Sequence, residues 1–230
     1  MKVYEIRIKI YLLKDISVEN IQYKIASFID AALSKDEELL SFHENNEFKN
    51  YCFDTLYPIE SDKVYKEGNI YTLTIRTIDG ILAKYFNNKL VNEFNHEFKA
   101  LTGQIRIIPK KYIDKVYSIT SLIIKTEEGY WKGNLSLTDF ERRIKENLIK
   151  KYNKFTNSKV DENFQLHTFI EFKNKKPIAT EYKGIKLLGD KILLNISEDK
   201  ISQELAYMSL GTGIGEANAR GFGFVNFRWI

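Results

Sequence analysis

Residues 209–230 read SLGTGIGEANARGFGFVNFRWI. Only 12 glycines occur in 230 residues, yet Gly211, Gly213, Gly215, Gly221 and Gly223 all fall here. Glycine weakens regular structure and is useful where the backbone takes a positive φ or lies close against something. The order of elements around the stretch decides its reading. Upstream, Ser197, Glu198 and Asp199 start a helical period carrying Ile201, Leu205 and Met208, which stops at Gly211; downstream, GFGFVNFRWI has the character of a strand. A Rossmann fingerprint requires G-x-G-x-x-G after a strand and before a helix, and a P-loop requires a following Gly-Lys-Ser/Thr. Helix, loop, strand is the wrong context on both sides, and both nucleotide-binding folds are excluded.

Working outward, this helix and strand close a pattern that the chain spells twice. In the first half Tyr4, Ile6, Ile8 and Ile10 alternate with charged residues as in a half-buried strand, and Val18, Ile21, Ile25, Phe28, Ile29 and Ala32 follow a helical period. YCFDTLYPI and NIYTLTIRT are strand-like. Leu82, Tyr85, Phe86, Leu90 and Phe94 mark a second helix, with His96 at its end as a surface residue, and TGQIRIIPK is a short strand ended by Pro109. The second half repeats the order. VYSITSLIIKT reads as a strand, and Thr138-Asp-Phe-Glu141 has capping-box spacing before a helix carrying Leu137, Phe140, Ile144 and Leu148. FQLHTFIEF, with His167 on its less apolar face, and KILLNIS are strands, followed by the last helix and strand. β-α-β-β-α-β is the split βαβ order. The expected fold is α+β, two tandem ferredoxin-like (βαββαβ, RRM-like) domains at residues 1–113 and 114–230.

Composition bounds the function. With 43% hydrophobic residues there is material for two cores, and no apolar run approaches the roughly 20 residues that span a bilayer. MKVYEIRIKIYLLKD carries charges through its apolar run, unlike a secretory signal. The single cysteine, Cys52, excludes an internal disulfide and a cysteine-based zinc site, so a cytoplasmic location is expected. The net charge of +4 is only mildly basic, so distribution matters more than the total. Cations concentrate in the second half as Arg142, Arg143 and Lys145, then Lys150, Lys151 and Lys154, then Lys173, Lys175 and Lys176. About half read as solvated helix face; the FKNKKP group sits in the connection between the two middle strands of the second domain. The carboxylates of KDEELL and EEGYW are dispersed, so neither a metal site nor a cofactor is expected.

On chemistry alone, two readings of the glycine stretch remain open. One is a helix cap followed by a tight turn; the other is a backbone-lined concavity for phosphate, with Arg220 adding charge. A second candidate site lies in the polar turn LLSFHENNEFKNYCFDTLYP, where Lys49 follows His43 by six residues. RNA can be cut without metal when its own 2′-hydroxyl attacks the adjacent phosphorus. This needs a base, an acid for the leaving 5′ oxygen, and a cation for the added negative charge. Histidine titrates near neutrality and lysine can stabilise a phosphorane. The bland alternative is that a lysine-rich chain puts some histidine near a lysine by chance.

Gly213-Ile-Gly215, five residues, then Gly221-Phe-Gly223 resembles the C-terminal G-h-G-x5-G-h-G motif (h, hydrophobic) of CRISPR-associated repeat-processing endoribonucleases of the RAMP superfamily. The element order and length of the whole chain are also similar to theirs. The resemblance implies an enzyme that cuts precursor CRISPR RNA within each repeat, with Gly213, Gly215, Arg220, Gly221 and Gly223 facing RNA. It implies His43 and Lys49 as catalytic residues, matching the family's histidine with a lysine six residues on. Arg142 and Arg143 are expected RNA contacts from the charge distribution, and the resemblance implies that Lys173, Lys175 and Lys176 engage the repeat stem. Some family members add a tyrosine in the first helix; this chain has Phe28 and Ile29 there, and Tyr23 is a weak substitute. The expected reaction is metal-independent, leaving a 5′-hydroxyl and a 2′,3′-cyclic or 3′ phosphate. The partner implied is CRISPR repeat RNA, with effector-complex subunits and a second copy of the chain as further candidates. The alternative is an inactive RNA-binding RAMP subunit of an effector complex. A small-ligand double ferredoxin-like protein has no supporting motif.

Overall fold

The computed structural model describes residues 1–36, 39 and 48–230. The first sheet is built on β1 (Val3–Leu12), whose Ile6, Ile8, Ile10 and Leu12 are buried on one face. β3 (Tyr51–Phe53), β5 (Ile70–Thr77) and β6 (Phe98–Ile108) join it antiparallel in the order β3-β5-β1-β6. Two helices cover the apolar face. In α1 (Val18–Leu33), Ile21, Ile25, Phe28, Ile29 and Ala32 form the buried stripe. In α2 (Gly80–Asn88), the Asp79 carboxylate caps the amides of Ile81 and Leu82. A short ribbon of β2 (Ile16–Ser17) and β4 (Val64–Tyr65) closes one end.

The second sheet has the matching order β12-β7-β11-β8, from β7 (Ile113–Ser118), β8 (His167–Phe172), β11 (Ile192–Ile196) and β12 (Val225–Trp229). Its helices are α3 (Leu137–Thr156) and α4 (Lys200–Thr212). Each half thus has its fourth strand beside its first and its third between first and second, the ferredoxin-like arrangement expected from the sequence. Among the described residues no helix is long and apolar enough to cross a membrane.

The halves interlock. Ile123, Tyr182 and Phe222 from the second half belong to the first core, while Val3, Ile78 and Ile108 belong to the second. Tyr207 of α4 donates its hydroxyl to Ile108 O at 2.6 Å and accepts from Val3 N at 3.2 Å. Gly211 lets α4 lie against the first sheet, since a Cβ there would come within 2.8 Å of Ile78 Cγ2 and 3.1 Å of the Thr77 carbonyl carbon.

Several local expectations are corrected. α3 is capped by Ser136 rather than Thr138: Ser136 Oγ accepts from Asp139 N at 3.0 Å and donates to Asp139 Oδ2 at 2.7 Å. α4 is capped by Asp199, and it ends on Gly213 (φ 72°), not Gly211. α2 stops at Asn88 and is followed by a 3-10 turn, Leu90–Asn92; Asn95 Oδ1 then accepts from the amides of Glu97 and Phe98 ahead of β6, and Phe94 and His96 lie in the exposed turn between. His167 is buried at the start of β8, where a register shift against Asn195 and Ile196 breaks the alternation. β7 ends at Ser118. Beyond it, Leu122, Ile123 and Ile124 are all buried, wedged between the cores, and only isolated bridges to Asp190 and Glu216 remain. Finally, FKNKKP does not connect the middle strands directly. It leads into a hairpin, β9 (Ile178–Tyr182) and β10 (Ile185–Gly189), turned by Lys183 and Gly184 with φ of 52° and 76°.

Candidate functional site

A cleft of about 600 Å³ lies where the halves meet. α1 brings Asp30 to it, the lead into β3 brings Phe48, Lys49, Asn50 and Tyr51, and the segment after β7 brings Lys125. α3 contributes Asn147, Lys151 and Lys154 at helical spacing, so they share one face. Tyr182 and Lys183 come from the hairpin, and Gly215–Arg220 from the glycine loop supply another wall. The cleft therefore carries six cationic side chains, Lys49, Lys125, Lys151, Lys154, Lys183 and Arg220, against the carboxylates of Asp30 and Glu216. Lys125, Lys154, Lys183 and Arg220 are exposed and Lys49 is half-buried. Such a surface attracts polyanions.

The hairpin matters because it carries Tyr182 across to the first domain. The Tyr182 ring packs edge-on against Tyr23 of α1, centroids 5.4 Å apart, and lies beneath the Arg220 guanidinium, whose Cζ is 5.4 Å from its centroid. Burial pushes the Tyr182 phenol up to about 12, with Asp30 adding to the effect and Arg220 opposing it. Tyr51 is fully buried; among the described residues its hydroxyl has no hydrogen-bond partner, and burial raises its pKa far above the ordinary value.

The glycine loop is pinned from inside. Lys151 is 3% exposed and its Nζ donates to Gly213 O and Gly215 O, both at 3.0 Å, and to Asn218 Oδ1 at 2.7 Å. Asn218 Nδ2 donates onward to Ile214 O at 3.1 Å and Phe222 O at 2.9 Å. The amide of Gly213 donates to Ser209 O, that of Gly221 to Asn218 O and that of Gly223 to Ser121 O. All four motif glycines have positive φ and sites where a Cβ would press on a neighbour: Asn218 for Gly213, Leu122 for Gly215, Phe53 for Gly221, Ile214 O for Gly223.

Against known proteins, residues 115–227 match the family model of the C-terminal region of CRISPR associated protein Cas6. CRISPR-associated endoribonuclease Cas6 1 of Methanocaldococcus jannaschii is 28% identical, over 90% of this chain and 85% of its own. Cas6 2 of the same organism is 25% identical, over 93% of this chain and 95% of its own. Residues 115–227 are thus similar to the Cas6 C-terminal domain, and about nine-tenths of the chain is similar to the two Cas6 endoribonucleases. A solved CRISPR associated protein Cas6, 22% identical, superposes with a TM-score of 0.74 over 98% of this chain and 99% of that one, so the Cas6 fold extends through both halves.

The sequence-predicted residues of this chain separate into four groups. Lys49 and Arg220, far apart in the sequence, line one cleft, and Gly215 reaches its wall. His43 lies outside the described residues. Gly213, Gly221 and Gly223 are buried, with their amides turned to protein carbonyls rather than outward. Arg142 is on the exposed face of α3, paired with Asp139 at 3.0 Å and Glu146 at 2.6 Å, and Arg143 donates to Lys125 O at 2.5 Å. Lys173, Lys175 and Lys176 are exposed at the far end of β9 from Lys183, roughly 14 Å of strand away. Their loop is anchored through Asn174, which donates to Asp190 Oδ1 at 2.7 Å. These five cations are not part of the cleft lining. At the family tyrosine position, Phe28 is buried and packed edge-on against Phe98.

Sequence reasoning missed Lys125, Lys183 and Tyr182 as cleft residues, and it assigned Lys151 to a basic run. One signal was available: the stripe Phe140, Ile144, Leu148 reaches position 151 next, so Lys151 falls on the buried face while Lys150 points to solvent.

Proposed function

We propose that this protein is a metal-independent endoribonuclease that binds CRISPR repeat RNA and cleaves precursor crRNA. The observation that carries the reading is the cation-lined cleft in which Lys49 and Arg220 meet beside the glycine loop. The scissile phosphate lies in this cleft. The 2′-hydroxyl loses its proton to a base and its oxygen attacks phosphorus. The P–O5′ bond breaks, and an acid protonates the leaving oxygen. The products are a 5′-hydroxyl and a 2′,3′-cyclic phosphate. His43, six residues before Lys49, serves as one of the proton-transfer groups, and Lys49 offsets the charge that builds on the phosphorane. Lys125, Lys154 and Lys183 hold flanking phosphates, giving affinity that falls steeply with salt, and Arg220 faces the reacting phosphate beside Lys49.

Incubation with a CRISPR repeat RNA in EDTA tests this. Wild type is expected to make one cut per repeat; His43→Ala is expected to lose cleavage by ~10²-fold or more while keeping RNA binding. Undiminished cleavage by His43→Ala would remove that residue from the mechanism, and loss of wild-type cleavage in EDTA would remove metal independence.

A further inference from the structure

A buried ammonium is costly unless its protons find acceptors. Lys151 interrupts the apolar stripe of α3, and its Nζ meets three: Gly213 O, Gly215 O and Asn218 Oδ1. Through Asn218 the same bond network extends to Ile214 O and Phe222 O. Two side chains thereby hold four carbonyls from both limbs of the glycine loop. The span between those limbs, residues 216–220, is the cleft wall that presents Arg220. A methionine or leucine would continue the stripe of α3 equally well but would leave the carbonyls without their donors.

We propose that Lys151 is a positioning residue for RNA cleavage: it sets the glycine loop, and Arg220 with it, in register with Lys49 without contacting RNA. The three N–H groups of the ammonium already have partners, which leaves none for a phosphate. Burial pulls its pKa down to about 7, with Cys52 and Glu216 opposing. Affinity for RNA resides in the exposed cations, while the rate depends on alignment, to which displacements on the order of 1 Å matter about 100-fold. The proposal rests on the endoribonuclease reading, and the experiment separates the two.

Lys151→Met is compared with wild type by amide exchange of residues 213–223, single-turnover cleavage of repeat RNA, and gel-shift affinity at two salt concentrations. If Lys151→Met does not fold, Asn218→Ala, which cuts the same network from the loop side, carries the same measurements. Expected are loop exchange and cleavage changed by roughly tenfold or more, exchange faster and cleavage slower, with affinity within about threefold and an unchanged salt slope. Unchanged exchange and rate in the folded variant would overturn the proposal. Weaker binding with a shallower salt slope would also overturn it, by making Lys151 a phosphate contact. If wild type binds but cuts nothing, the endoribonuclease reading fails and with it the cleavage role; loop exchange then still decides whether Lys151 holds the loop.

Discussion

Arg76 donates its Nε to the buried Glu5 carboxylate at 2.9 Å, and its other two nitrogens cross between the sheets, to Val225 O at 2.6 Å and Asn226 Oδ1 at 2.8 Å. Glu5 also accepts from Arg7 at 2.9 Å and Arg106 at 2.8 Å. One strand of the first sheet is thus tied to the last strand of the second through a single guanidinium, which also lies over the Phe224 ring at 4.6 Å. The cleft depends on how the halves sit together, so this tie bears on function as well as on stability.

Removing Glu5 leaves the buried Arg76 guanidinium without its carboxylate, which costs about 3–5 kcal/mol. Glu5→Gln is expected to lose that much in urea unfolding, and Arg76→Met less, because Arg7 and Arg106 still hold Glu5. Burial alone would raise the Glu5 pKa, but Arg76, Arg106 and Arg7 outweigh it and hold the carboxyl below its ordinary 4.5. A depressed carboxylate contributes stability that is present above the unfolded-state value and is lost as pH falls through the folded one. The difference in unfolding midpoint between wild type and Glu5→Gln should therefore be full at pH 7 and shrink below 4.5. A difference that stays constant down through acid would contradict the role given to this carboxylate.

Gly223 has φ 66°, and a Cβ built on it would run into the carbonyl oxygen of Ile214. Backbone meeting backbone cannot be relieved by a rotamer change. Gly223→Ala is expected to lose about 2–4 kcal/mol and to disturb the loop. Gly129 is a control for φ alone: it has φ 104° but nothing within 4 Å of a Cβ, so Gly129→Ala should lose only about 1 kcal/mol. Thermal unfolding of the two variants side by side checks the contrast; equal losses would mean that close packing at Gly223 is not the cause.

The double ferredoxin-like order was legible because alternation in Ile6, Ile8 and Ile10 and the stripe of α3 are local patterns. Glycine spacing marked the loop for a similar reason. What stayed hidden was non-local. Nothing near Lys183 in sequence says that its hairpin crosses to α1, and nothing near Asn218 says that a lysine from α3 reaches it. The three buried residues Leu122, Ile123 and Ile124 imitate a strand because they face two cores at once. That Asp139 and Glu146 pair with Arg142 is likewise not visible in a list of charges.

Asp190 is fully buried and gathers three donors: Tyr130 Oη at 2.6 Å, Trp131 Nε1 at 2.7 Å and Asn174 Nδ2 at 2.7 Å. It fixes the start of the lysine-rich loop to the segment before α3, and Trp131 packs on Phe140 and Phe172 beneath it. Asp190→Ala removes the acceptor these donors share and leaves the buried Trp131 Nε1 unpaired, with an expected loss of about 3 kcal/mol. Trp131 reports directly on this site, so its fluorescence should shift to the red in the folded variant. An unshifted spectrum with wild-type stability would count against the hub.

The cleft also predicts which cations bind phosphate. Lys125, Lys154 and Lys183 line it, whereas Arg142 is on the outer face of α3 between two carboxylates. Each phosphate contact with single-stranded RNA releases counterions and adds roughly 0.7 to the slope of log affinity against log salt. Lys125→Ala, Lys154→Ala and Lys183→Ala should each weaken repeat-RNA binding and flatten that slope by about 0.7, and Arg142→Ala should do neither. Because these contacts are to backbone, the losses should be similar for repeats of different sequence. Gel shifts at three or more salt concentrations measure the slope. A flatter slope for Arg142→Ala, with the three lysine variants unchanged, would move the RNA off the cleft and onto the outer face of α3.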